Sequence, residues 1–341
     1  MNKNKSKQHL LRNMVSALLA CVGFISCSQD ELTEQGTPLP VGKYPLELTT
    51  DGVQAVAAPA QPTTRGTFFE GDWSGVTGVK VRVNDKEEKE YSVTPSEDKK
   101  TAHLAPAQPL ESTDELFWWT SSKEEKTIMA WAPYEYTLNK KFTLPTEWTK
   151  ENFDKFDIIG VQQTVGFEDR NESLAFRHLM AKVVINLRET EYLKAAKDVN
   201  VQLLNRYGTG LMEINIYTKE FGVTYGDNTL INITPYLLPK EDYKEVNFGN
   251  QLEKPFASYT ALVVPANQAS IKVLQIEVDD AKYILLQENF TNELFVPYRA
   301  GQVTTFNITI KENGLQASME TSSIGWDYEN GATGNGEVEL P

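Results

Sequence analysis

Cysteine is nearly absent from this chain. Its 341 residues hold two, Cys21 and Cys27, both near the start. Beyond Cys27 no internal disulfide and no thiolate metal cluster can form. Histidine is equally scarce: His9, His103 and His178 are all there are, too few for the usual His-rich metal sites. Basic charge is in deficit, with 33 Lys and Arg against 47 Asp and Glu, a net −14. Such a field disfavours nucleic acid and anionic membrane surfaces and favours solubility. There is no Gly-rich phosphate loop, no Gly-x-Ser-x-Gly elbow, no His-Glu-x-x-His and no Asp-x-Asp-x-Asp-Gly loop. The expectation is a protein that is not an enzyme, with no catalytic residue, no metal and no cofactor.

What the chain does have begins at its N-terminus. Lys3, Lys5, Lys7 and Arg12 make a basic start, and Met14 to Ile25 is apolar or small throughout. That run falls short of the roughly 20 apolar residues of a spanning helix. It reads as the apolar region of an export signal. The signal closes on Gly23-Phe24-Ile25-Ser26-Cys27, a small residue followed by cysteine, which looks like a bacterial lipoprotein signal. Residues 1–26 are then the signal peptide and Cys27 the lipidation site, anchored by several acyl chains where one would not hold. The plainer reading is an ordinary signal with an incidental Cys27. Without residues 1–26 the chain has 29 basic and 47 acidic residues, a net −18. Ser28-Gln29-Asp30-Glu31 resembles the surface-export signal of lipoproteins from gut and oral anaerobes; any lipoprotein tether is also polar.

Residues 28–43 are polar with Gly and Pro, a tether. Tyr44-Pro45-Leu46-Glu47-Leu48 alternates, with Leu46 and Leu48 on one face of a candidate strand. Residues 55–65 are small and Pro-rich and should be extended and exposed. From Val76 a two-residue period sets in: Val79, Val81 and Val83 alternate with Lys80 and Arg82. Further strands are expected at Tyr91 and Val93, Leu116–Thr120, Thr127–Ala132 and Phe156–Val161; a second block starts near Ser173 with Leu174 and Phe176, then Ala181, Val183, Ile185 and Leu187, followed by strands at Val199–Leu204, Met212–Tyr217, Leu230–Ile233, Tyr259–Val264, Ile271–Val278, Tyr283–Gln287 and Val303–Ile310. Only Glu189–Lys197 looks helical. Short strands separated by Gly, Pro, Asn and Asp predict an all-β chain of antiparallel sandwiches. Phe167–Glu172, polar, is the best boundary. The predicted division is a lipidated tether and removable leader strand over 27–65, an N-terminal sandwich over 66–172, and a C-terminal sandwich over 173–341 with a candidate donor tail.

Few side chains stand out as sites. In Phe117-Trp118-Trp119, Phe117 and Trp119 share one strand face and Trp118 takes the other. One face should be core, and an exposed Trp118 is a candidate surface aromatic able to stack on a sugar ring. His178 sits in an apolar strand with no nucleophile or carboxylate partner suggested by spacing, so a hydrogen-bonded structural role is expected. His103 looks solvent-facing. The acid pairs Glu168-Asp169 and Asp279-Asp280 lie beside turns, and the mixed-charge runs Asp85–Glu90 and Lys123–Lys126 are expected to cap hairpins in solvent.

Leu174-Ala175-Phe176-Arg177-His178-Leu179-Met180-Ala181-Lys182-Val183 is similar to the strand that opens the second domain in the fimbrillin family. Met129-Ala130-Trp131-Ala132-Pro133-Tyr134 resembles a first-domain strand of that family. Gly301–Ile310, Gly314-Leu315 and Ile324-Gly325-Trp326 resemble its usual close. The likeness runs from about Tyr44 onward. It implies two tandem transthyretin-like antiparallel β-sandwiches and a type V pilus subunit. Such a subunit reaches the outer membrane as a lipoprotein, is cut after an arginine, loses a leading strand and accepts a strand from a neighbour. On this sequence the resemblance points to cleavage between Arg65 and Gly66, with residues 44–64 holding the strand to be lost.

Partners are then other pilin subunits, by strand addition, and the outer membrane, through the Cys27 lipid. A host or bacterial surface ligand is expected but not named by the sequence. The location is the outer membrane and cell surface, then the fimbrium after processing. Donor candidates are the tail Gly331–Pro341, with Val338 and Leu340, and the segment Ser318–Tyr328, with Met319, Ile324 and Trp326. Trp326 is assigned instead to the fixed core. A poor donor tail would suit a tip or accessory subunit. A surface-anchored glycan-binding lipoprotein is the alternative, and a surface hydrolase the third reading.

Overall fold

The computed structural model describes residues 36–51, 53, 73–84, 86, 88–107, 116–249, 251–268, 272–290, 296–312, 314–322 and 332–338. Cys27, Arg65, Gly66, residues 55–64, Ile324 and Trp326 lie outside the described residues. The chain is nearly all β, as its alternation predicts.

The first sheet has eight strands. Their order is Ser173–Leu174, Leu48–Thr50, Ala102–Pro106, Glu88–Pro95, Gly78–Val83, Glu125–Ala132, Ile159–Gly166 and Arg177–His178. Its two end strands are separated in sequence only by Ala175 and Phe176. Three Cα steps span at most about 11 Å. The sheet therefore rolls until its edges nearly meet, and its inner face becomes a core. Val79, Val81 and Val83 point inward from one strand, Ile128, Ala130 and Ala132 from its neighbour, with Leu104, Phe117, Trp119, Leu174 and Phe176 filling the middle. Alternation puts the apolar residues on one face, and the roll gives that face something to bury against.

From Ile128 onward the strand Glu125–Ala132 is buried on both faces. Its intervening residues Met129 and Trp131 belong to a second, larger core. That core packs between a six-stranded sheet and a four-stranded one. In the six-stranded sheet, Ala181–Leu187 pairs antiparallel with Ala257–Val263 and parallel with Val303–Lys311. Among the described strands the expectation of antiparallel sheets holds except for this parallel pair and that of Leu48–Thr50 with Ser173–Leu174. The strands at the centre are buried throughout, so a polar ladder can fix their register. Asn186 Nδ2 donates to Asn307 Oδ1 (2.9 Å), and Ser258 Oγ donates to Asn186 Oδ1 (2.7 Å). A one-residue slip would break both bonds and leave buried amides unpaired.

A three-stranded sheet, Phe221–Tyr225, Thr209–Ile214 and Lys141–Thr143, lies against the rolled one. Close approach there requires glycine. A Cβ on Gly160 would sit 2.6 Å from the Phe221 ring; within the three-stranded sheet, one on Gly210 would sit 2.2 Å from the ring of its cross-strand partner Phe142. Phe221 in turn packs on Trp131, ring centroids 5.6 Å apart.

Several local expectations are corrected. A helix forms at Lys150–Phe156, burying Phe153 and Phe156, so Phe156 ends a helix and the strand begins at Ile159. Met212–Tyr217 is a strand only through Ile214; Ile216 and Tyr217 form the hairpin turn, held by Asn215 Oδ1 accepting from the Tyr217 and Thr218 amides. Leu116–Thr120 is an irregular extended segment with a single bridge, Trp118 to Pro45. Lys126 is buried rather than solvated, because Glu124 pairs with it and the Trp119 ring lies 5.1 Å from its ammonium. Glu88 is also occupied, with Lys80 3.5 Å away and the Leu138 amide donating to it. The two cores do not divide at one point of the sequence: Met129, Trp131, Leu138, Leu144, Trp148, Phe153, Phe156 and Ile158 belong to the larger core, whereas Ile159, Val161, Val165, Leu174 and Phe176 belong to the smaller.

Candidate functional site

The feature with functional content is the N-terminal segment. Leu48–Thr50 sits inside the rolled sheet, not at a free edge. It pairs antiparallel with Ala102–Pro106 (Leu48 opposite Leu104, Thr50 opposite Ala102) and parallel with Ser173–Leu174. Residues just upstream continue the pairing with the segment before Glu125. Leu46 N–H donates to Phe117 C=O (2.8 Å), Trp119 N–H to Tyr44 C=O (2.9 Å), and Leu39 N–H to Thr120 C=O (2.9 Å). The predicted alternation is realised: Leu46, Leu48 and Thr50 are fully buried, while Glu47 and Thr49 face outward. The Trp73 indole N–H donates to Asp51 C=O at 2.9 Å, holding the strand's exit, and its ring meets Phe176 edge-on at 5.0 Å.

One position in this strand fits poorly. Thr50 Oγ1 is buried with no hydrogen-bond partner. An orphaned hydroxyl costs about 1–3 kcal/mol. A strand with an apolar side chain at that register would escape the cost.

Trp118 takes the outward face opposite Phe117 and Trp119, as its position in the alternation predicts. It is half-buried in a groove of about 1000 Å³ whose walls include Leu39, Val41, Lys86, Lys89 and Lys126.

His178 has the partner its spacing did not reveal. Its Nδ1 lies 2.7 Å from Asp157 Oδ1, both groups buried. Asp157 is brought there as the residue capping the helix Lys150–Phe156. Burial, with the Lys182 ammonium adding to it, pushes the imidazole well below its usual value. The ring is therefore neutral and its Nδ1–H donates to the carboxylate. The pair fastens Arg177–His178 to Ile159–Gly160, beside the Leu179 N–H to Ile158 C=O bond. This is the structural role expected for His178. An unfolded histidine titrates near 6.5, so as pH falls below that value the unfolded chain takes up a proton the folded chain refuses. The stabilisation is complete above about pH 6.5 and declines below it. Melting temperature should fall between pH 7 and pH 5, and His178→Asn should flatten that part of the profile.

The acid pairs serve turns. Asp279 Oδ1 accepts from the Lys197 and Asp198 amides at 2.8 and 3.0 Å. His103 is exposed, 4.0 Å from Glu47. Among the described residues no three His, Cys, Asp or Glu cluster as a metal site, and no helix is long and apolar enough to cross a membrane.

A family model described as fimbrillin-like matches residues 58–325. A candidate cell adhesion protein of Bacteroides uniformis ATCC 8492 shares the fold with TM-score 0.56 and 13% identity, spanning 84% of this chain and 99% of that one. Another, from Bacteroides ovatus ATCC 8483, gives TM-score 0.54 and 16% identity over 84% of this chain and 99% of that one. At such identities the likeness is one of fold. No curated protein matches the chain.

Proposed function

The chain belongs to the fimbrillin-like family, and from that premise we propose that it is a structural and adhesive subunit of a cell-surface pilus, assembled by exchange of its N-terminal strand. It is a structural protein of the cell surface, not an enzyme. In the proposed route it is exported as a lipoprotein acylated on Cys27 and held at the outer membrane. It is cut between Arg65 and Gly66 and takes a strand from a neighbouring subunit in place of residues 44–64.

The observation that carries this reading is the position of Leu48–Thr50 between two strands of one sheet. Removing it would strip hydrogen-bond partners from Ala102–Pro106 on one side and Ser173–Leu174 on the other. It would also open the core that Leu46 and Leu48 fill. An unpaired edge beside an open core invites a new strand. A donor restores the main-chain bonds and buries alternate side chains. The unpartnered Thr50 hydroxyl is one cost that a donor strand with an apolar side chain at that register would avoid.

The donor proposed is the C-terminal tail. Among the described residues, Ala332–Val338 is the edge strand of the six-stranded sheet and pairs only with Gly314–Ser322. It contains Gly334 and Gly336, which contribute no side chain to hold it. Division into sandwiches over 66–172 and 173–341 remains part of this proposal. The glycan-binding alternative is favoured by one observation, the groove beside Trp118.

N-terminal sequencing of protein recovered from cells tests the route. A chain beginning at Gly66, found in multimers that survive SDS, is the expected result. Acylated Cys27 on every molecule, with no multimers, would overturn strand exchange and favour an anchored monomer.

A further inference from the structure

The slot that Leu48–Thr50 fills is touched by a side chain that stays behind when its occupant goes. Trp73 follows the proposed cut at Arg65 by eight positions. It is fully buried, its amide donates to Lys99 C=O (2.8 Å), and its ring meets Phe176 edge-on at 5.0 Å. Held in this way, the indole N–H donates to Asp51 C=O at 2.9 Å, one residue past the last ladder pair, Thr50 opposite Ala102. The indole nitrogen is a donor only. Once the leader leaves, it has no acceptor in the slot. Refilling the slot buries that donor again, at a cost unless a main-chain carbonyl takes the place of Asp51 C=O. The carbonyl of any residue serves, so this contact reads how far a strand reaches and not its side chains.

The tail carries a segment that meets these demands. Leu46 to Asp51 reads Leu-Glu-Leu-Thr-Thr-Asp, and Gly336 to Pro341 reads Gly-Glu-Val-Glu-Leu-Pro. Laid one on the other, Val338 falls at Leu48 and Leu340 at Thr50, both inward positions, while Glu337 and Glu339 fall at Glu47 and Thr49, which face outward. Leu340 then puts an apolar side chain where Thr50 Oγ1 is buried without a hydrogen-bond partner. Pro341 has no N–H to give a ladder, and it falls just beyond the last ladder pair. Residues 339–341 lie outside the described residues, and their fit is one of sequence order to slot.

We propose that residues 336–341 of a second copy occupy this slot in that register, with Leu340 at the position of Thr50 and Pro341 C=O bound by the Trp73 indole N–H. The inference rests on the strand-exchange reading and adds the register to it. Alternation alone allows slips of two residues, since each keeps the same side chains facing inward. Slipped one way, Pro341 falls at Thr49, which has a paired strand on either side and needs its N–H. Slipped the other way, Gly336 falls at Leu48 and leaves a fully buried site empty. The poorest fit in the proposed register is Gly336 at Leu46. The tail competes there with an emptied slot and not with the leader, so the loss weakens the junction without forbidding it.

Cysteine cross-linking tests the register. Cys21 and Cys27 both precede Arg65, so a processed chain has no cysteine of its own. The full-length chain is expressed in cells with Ala102→Cys and Leu340→Cys, or with Leu104→Cys and Leu340→Cys, and multimers are oxidised mildly. Ala102 lies opposite Thr50 and Leu104 opposite Leu48. Expected is a ladder of disulfide-linked subunits from the first pair and none from the second, because Cα atoms more than about 7 Å apart do not bridge. Without added cysteines, Trp73→Phe keeps a ring on Phe176 and removes the N–H; it should speed release of subunits on heating in SDS by about tenfold. Leu340→Thr, which returns a hydroxyl to the Thr50 position, should act in the same direction. It alters only the tail, so it reads the register even if a change at buried Ala102 or Trp73 unfolds the sheet. The register is overturned by cross-linking of Leu104→Cys in place of Ala102→Cys, by multimers that neither pair cross-links, or by release that ignores Leu340→Thr. Failure of the parent chain to form multimers at all overturns strand exchange itself, and this register with it.

Discussion

Replacing Leu46 and Leu48 with alanine is expected to cost the uncleaved chain most of its stability. Both side chains are buried to within 1%, and a buried Leu→Ala change costs about 2–5 kcal/mol. Two such losses stand against a total of about 5–15 kcal/mol for an ordinary domain. Urea unfolding of the uncleaved protein should show the midpoint falling steeply for the double variant. The same substitutions should leave assembled filaments as stable as wild type, because the altered residues would be gone from them. That contrast separates a replaceable strand from a permanent one. Equal destabilisation of monomer and filament would show that residues 44–64 never leave.

Arg65→Ala carries the largest functional effect. If the cut after Arg65 is what empties the slot between Ala102–Pro106 and Ser173–Leu174, the variant should remain full length, lipid-anchored and monomeric. Filaments and SDS-resistant multimers should be lost altogether, while urea stability matches that of the uncleaved wild type. The last point matters, since it shows that assembly failed for want of a vacancy and not for want of a fold. Normal filaments from Arg65→Ala would falsify the cleavage model.

The parts of this structure that sequence alone exposes are those set by short-range period. Val79, Val81 and Val83 announce a strand with one buried face, and the same rule places Leu46 and Leu48 inward and Trp118 opposite Phe117 and Trp119. The helix at Lys150–Phe156 is hidden because seven residues hold only two inward side chains, Phe153 and Phe156. Phe156 also runs straight into Ile158 and Ile159, which read as strand. Thr149 stands at the N-cap position, yet its side chain makes no capping bond, so even the usual start signal is weak.

Other features are non-local and leave no mark on spacing. His178 and Asp157 are 21 positions apart and meet only because a helix ends where a strand pair begins. Lys126 sits in a charged run that looks like a solvated turn, and only the folded position of Trp119 shows it to be interior. The slot itself combines strands near residues 49, 104 and 173. Alternation predicted a strand at its occupant, but not that both of its flanks would be hydrogen-bonded.

The slot also has a sense of direction. Its occupant runs against Ala102–Pro106 and along with Ser173–Leu174, two unlike neighbours whose bonding patterns differ. An incoming segment laid in backwards would meet the wrong ladder on each side. In the proposed assembly every junction made through this slot would therefore point the same way, and a fibre built from such junctions would have a growing end chemically distinct from its base.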